Sequence, residues 1–183
     1  TIARRGLIDH SDSLGAAARF GRGDVQWLTA GGGIVHAEMF PLLDRDAGNP
    51  VELFQIWLNL PAEDKLAEPH FKMLWNQDIP RVTHADADGR ETEITIVSGQ
   101  LGGERAPAPP LRSWAARPDS DVAIWCIRSQ PAATWTLPPA STAGATRTLY
   151  FFQGSSLRLQ DRVFATHAAI AIRSDLPIRI EAG

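Results

Sequence analysis

The chain has 183 residues and a mass of 19.9 kDa, room for one large domain or two small ones. Its 44% hydrophobic and 21% charged content is that of a chain able to bury a core. A formal net charge of −3 excludes general attraction to nucleic acid or to an anionic membrane surface, so neither direct nucleic-acid binding nor a membrane partner is expected. No apolar run reaches the roughly 18 residues that a spanning helix needs. The single Cys126 cannot form an internal disulfide, and a cytoplasmic location is the simplest expectation.

In chain order, Thr1–Leu7 reads as a strand, and Asp9-His10-Ser11-Asp12-Ser13 with Gly15 as a polar turn. His10, set among turn residues, reads as a solvated hairpin residue rather than a ligand. Phe20–Asp24 closes that hairpin. Val25–Thr29 is a short apolar strand, and Gly31-Gly32-Gly33 a bend in which positive φ lets the backbone turn sharply. The strand that follows, Ile34-Val35-His36-Ala37-Glu38-Met39, carries two potential metal ligands two residues apart. Successive strand side chains alternate in direction, so His36 and Glu38 share one face, with Val35, Ala37 and Met39 on the other.

Pro41–Pro50 has no apolar period and reads as a loop, able to act as a flap. Leu53–Leu60 alternates Gln55, Trp57 and Asn59 against Phe54, Ile56, Leu58 and Leu60, a strand with two unlike faces. Trp27 and Trp57 read as packing residues. Pro61 ends that strand, Ala62–Ala67 is a short helical turn broken at Pro69, and His70 reads as structural. Asp86-Ala87-Asp88-Gly89 resembles a calcium loop at first sight, but it lacks the distal glutamate and the remaining oxygen ligands, so it reads as a hairpin turn. The β-branched run Glu93–Gly99 opens a second domain, and the boundary is placed near residue 88, giving domains 1–88 and 89–183.

Leu101–Pro118, rich in Gly, Ala and Pro, reads as an extended covering segment or linker. Strand runs follow at Val122–Arg128, Thr134–Leu137, Arg147–Gln153, Ser156–Leu159, Val163–Ala165, Ala168–Ile172 and Ile178–Ile180. Strands this short, separated by turn residues, predict an all-β sandwich or barrel. Cys126 reads as a buried small hydrophobe. His167 has no partner at ligand spacing, so the second domain reads as a scaffold.

Three segments carry a family resemblance: Gly23-Asp24-Val25-Gln26-Trp27-Leu28-Thr29-Ala30-Gly31, then Gly33-Ile34-Val35-His36-Ala37-Glu38-Met39, then Leu53-Phe54-Gln55-Ile56-Trp57-Leu58-Asn59-Leu60-Pro61 with Glu68-Pro69. In this order and spacing the chain resembles the pirin family of the cupin superfamily. The resemblance implies an all-β bicupin, two tandem double-stranded β-helix (jelly-roll) barrels, of which the first holds one mononuclear divalent metal, usually iron, on three histidines and a glutamate. His36 matches the third histidine and Glu38 the carboxylate. The other two family histidines form a His-x-His pair one strand upstream, and Thr1–Gly6 looks like the continuation of that strand. The chain is therefore expected to be a piece cut at both ends.

By the same resemblance, two functions stand open, beside a third reading, a metal-free scaffold, that rests only on the two absent ligands. In one, the metal binds a small aromatic substrate such as the flavonol quercetin, and Glu38 takes the hydroxyl proton in a quercetin 2,3-dioxygenase-type oxidation by O₂. In the other, the protein is a metal- or redox-dependent regulator that binds a protein partner without turnover. Nothing in these residues separates the two, because both need the same site.

Overall fold

The computed structural model describes residues 1–183. All extended elements are strands, and the helical turns are three short 3-10 segments, Ala62–Asp64, Asn76–Asp78 and Trp114–Ala116. The all-β expectation therefore holds, and no helix is long and apolar enough to cross a membrane. The chain forms two compact units, one from residues 1–80 and 105–122, the other from 81–104 and 123–183.

The first unit contains seven strands: β1 (Ile2–Arg5), β2 (Leu7–Asp12), β3 (Ala17–Gly21), β4 (Val25–Thr29), β5 (His36–Met39), β6 (Glu52–Phe54) and β7 (His70–Leu74). They build two antiparallel sheets, ordered β6-β1-β4-β7 and β3-β2-β5. Only Gly6 separates β1 from β2, and it lets the chain leave one sheet and enter the other. Its φ is 81°, and a Cβ there would lie 2.7 Å from the Pro50 carbonyl oxygen. Residues of both sheets meet in a core of Ala3, Ile8 and Phe20, with Ala18, Leu53 and Met73 packed against it. Complete burial of a side chain such as Phe20 contributes about 1.5–3 kcal/mol.

Three local expectations change. Asp9–Asp12 is strand, not turn, because β2 pairs on both sides, with β3 and with β5. The strand expected over 53–60 is ordered into a ladder only at Glu52–Phe54, and Trp57 is 86% exposed rather than packed. β7, which no sequence pattern announced, pairs along its whole length with β4. The proline-rich stretch is a covering segment: Lys72 Nζ donates to the Ala108 carbonyl at 2.6 Å, and Arg117 pairs with Glu63 and Asp64.

The second unit contains a three-stranded sheet ordered Ile124–Ser129, Glu91–Ser98 and Arg81–Ala85. A four-stranded sheet is ordered Thr134–Leu137, Ile178–Ala182, Leu157–Leu159 and Arg162–Phe164, and Arg147–Phe151 pairs with Ala168–Ile172. Its buried side chains include Ile94, Ile96, Trp135, Leu137, Phe151 and Ile180. The Asp86–Gly89 segment is the expected hairpin turn: the Asp86 carboxylate accepts from the backbone N–H groups of Asp88, Arg90 and Thr134.

Candidate functional site

The glycine bend does what its composition predicts. Gly31 and Gly33 have φ of 48° and 129°, and the Gly32 N–H donates to the Ala67 carbonyl at 2.9 Å, which fixes where β5 begins. β5 then runs antiparallel to β2, with Glu38 opposite His10 and His36 opposite Asp12. Directly opposed residues share a face. His36 and Glu38 therefore lie on the same face as His10 and Asp12, two imidazoles and two carboxylates side by side on adjacent strands. His36 is exposed and Glu38 half-buried.

His10 is buried, contrary to its reading as a solvated turn residue, with a side chain 0% exposed. Its Nε2 lies 3.0 Å from Asp12 Oδ2 and its Nδ1 2.8 Å from the Gln26 side-chain nitrogen. Gln26 belongs to β4 of the other sheet, so the ring ties the two sheets together. It stacks on Phe71 of β7, with centroids 4.7 Å apart and planes inclined by 14°. The His36 ring also stacks against it, centroid to centroid 5.6 Å at 28°. Burial presses the Asp12 carboxyl toward a higher pKa. Hydrogen bonds from His10 and from the Ala16 and Leu14 N–H groups outweigh that and hold it below the usual aspartate range.

Those contacts were hidden in the sequence for a physical reason. Asp9, Ser11, Asp12 and Ser13 are turn formers in isolation, and pairing with β3 on one side and with the more distant β5 on the other makes the segment a strand. One signal was present: Ile8, His10 and Asp12 alternate with Leu7, Asp9 and Ser11, the period of a strand whose inner face turns from apolar to polar.

A mononuclear metal suits the donors in kind, since a neutral imidazole and a carboxylate are ligands that first-row metals take. In number they are half of the four-ligand set that the resemblance implies. No group of three or more His, Cys, Asp or Glu side chains is placed to hold an ion. His10 does not make up the count, because both ring nitrogens are engaged, and its Nδ1 is 3.9 Å from Glu38 Oε1. His70 lies on β7, opposite Thr29 of β4.

Comparison with known proteins shows what the chain is similar to. The Pirin family profile matches residues 1–58. A Pseudomonas aeruginosa protein named "Putative quercetin 2,3-dioxygenase PA2418" is 41% identical over 117 residues, which are 62% of this chain and 40% of that protein. Human "Pirin" is 35% identical over 98 residues, 54% of this chain and 30% of its own length. The chain thus spans well under half the length of these two relatives. Among solved structures, GK1651 from Geobacillus kaustophilus matches with a TM-score of 0.72 at 25% identity, over 99% of this chain and 67% of that one. A quercetin 2,3-dioxygenase from Acinetobacter baumannii has the same fold, with a TM-score of 0.72 at 19% identity over 99% of this chain and 54% of its own. The chain thus has the all-β fold of these structures, and its first 58 residues carry the Pirin family profile.

Proposed function

We propose that the chain carries part of a metal-dependent oxidoreductase site of the quercetin 2,3-dioxygenase type. His36 and Glu38 are two ligands of one mononuclear metal, iron, and a flat aromatic such as a flavonol is the substrate. The observation that carries this reading is the common face of His36 and Glu38 beside a buried, hydrogen-bonded His10–Asp12 pair. The name of the Pseudomonas relative supports the reaction class.

When bound, the metal supplies Lewis acidity toward substrate oxygens and a redox partner for O₂. The residues of the chain do the rest. Glu38, half-buried, combines access to a substrate hydroxyl with partial exclusion of water, which suits a carboxylate that must accept a proton. His36 presents its ring from a strand held in register by β2. Phe71, stacked on His10, offers an apolar wall to a planar ligand.

A second reading, a regulator that binds a protein partner, is favoured by the exposed apolar side chains that follow β5: Phe40, Leu42 and Leu43, with Met39 on the strand itself. Oxygen uptake and loss of flavonol absorbance by the intact, iron-loaded protein test the choice. Turnover that falls about 10²-fold or more in Glu38→Gln and His36→Ala supports the enzyme. Iron binding without turnover, joined to redox-dependent capture of a partner, overturns it in favour of the regulator.

A further inference from the structure

The chemistry proposed above uses His36 and Glu38, yet the most completely constrained side chain on that face is His10. We propose that His10 is a positioning residue, a ring locked between the two sheets whose flat side sets the orientation of the His36 imidazole. The inference rests on the reading of His36 as a ligand.

The lock follows from hydrogen-bond chemistry. An ionised carboxylate only accepts, so Asp12 Oδ2 at 3.0 Å requires the proton on His10 Nε2. The Gln26 side-chain nitrogen only donates, so at 2.8 Å it requires a bare Nδ1. Together they select the neutral Nε2–H tautomer. They also forbid a ring flip, which would turn carbon toward both partners. Each partner is itself buried and held: the Asp12 carboxylate also accepts from the Leu14 and Ala16 N–H groups at 2.9 and 3.1 Å, and Gln26 is 3% exposed.

Phe71 stacks on the ring at 4.7 Å and the His36 ring lies 5.6 Å from it, both planes within 28° of parallel to it. His36 stands on the outer strand of its sheet and is exposed, so nothing on the solvent side selects among its rotamers. A fixed aromatic plane on the inner side does. Packing alone does not call for a histidine here, since a leucine fills a core without two buried polar partners. The groups that fix a ligand's orientation govern metal affinity, typically by 10–100-fold.

The variant that isolates this role is His10→Gln. Its amide keeps a donor for Asp12 and an acceptor for Gln26 but has no ring for His36 to stack on. The intact protein, with its histidines labelled by ¹⁵N and ¹³C, is followed by NMR without metal and then titrated with cobalt(II). The expected result is an Nε2–H tautomer for His10 in the wild type, a shift and broadening of the His36 ring signals in folded His10→Gln, measured well below its melting temperature, and cobalt binding about 10–100-fold weaker. If His10→Gln does not fold, Gln26→Met, which removes the Nδ1 partner at similar volume, is read in the same way. Unchanged His36 signals in the folded variant, or an Nδ1–H tautomer in the wild type, overturn the proposal. Wild-type protein that binds no cobalt overturns the reading of His36 as a ligand, while the metal-free His36 signals still decide whether His10 orients that ring.

Discussion

At the scale of single residues, the carboxylates that organise turns carry the pH dependence. Asp86 is 3% exposed at its side chain, and it accepts from three backbone N–H groups and from the Arg90 guanidinium at 2.9 Å. Burial pushes its pKa up, but the Arg90, Thr134 and Asp88 N–H groups and the Arg90 side chain more than offset this and hold it below the usual aspartate range. A carboxyl more acidic when folded than unfolded contributes stability that is fully present above its unfolded pKa and is lost as pH falls through the folded one. Urea unfolding of the intact protein should therefore show a midpoint that declines below about pH 4. In Asp86→Asn the midpoint should be lower at neutral pH and the acid decline shallower. An unchanged acid slope in the variant would show that the turn does not depend on the ionised group.

At the scale of elements, the legible parts were those whose pattern is local. The strand alternation around His36 and Glu38, the glycine bend and the hairpin turn at Asp86 each state their conformation within a few residues; the bend and the turn are present as read, and the strand, expected from Ile34, begins at His36. The parts that were not legible depend on distant partners. β2 is held as a strand by β3 on one side and by the distant β5 on the other, and Trp57, beyond the ladder at Glu52–Phe54, is exposed. The three glycines, alike in sequence, are unequal in the fold. At Gly31, φ is 48° and a Cβ would lie 1.9 Å from the Ala67 carbonyl oxygen, whereas Gly32 finds nothing closer than 3.7 Å. Gly31→Ala should cost about 2–3 kcal/mol and loosen the start of β5. Gly32→Ala should cost less than about 1 kcal/mol. Thermal denaturation of both variants checks the contrast, and equal losses would mean that the bend does not need its first glycine.

At the scale of the whole molecule, the all-β class was readable from short strands and frequent turns, while the surface was not. Side chains that composition assigns to a core, such as Trp57, Leu66, Leu42 and Leu111, are 77–88% exposed. Exposed apolar groups add little to folding. Trp57→Ala should therefore leave the unfolding free energy within about 0.5 kcal/mol of wild type by urea denaturation, and a loss above about 2 kcal/mol would place the indole in a core. The order of the chain has its own consequence. Residues 1–80 and 105–122 make one unit and 81–104 and 123–183 the other, so the polypeptide passes from one to the other three times. No single proteolytic cut can liberate both units whole. During vectorial synthesis, the hairpin of Arg81–Ala85 and Glu91–Ser98 emerges while the first unit still awaits residues 105–122, and it must wait in turn for Ile124–Ser129 to complete its sheet.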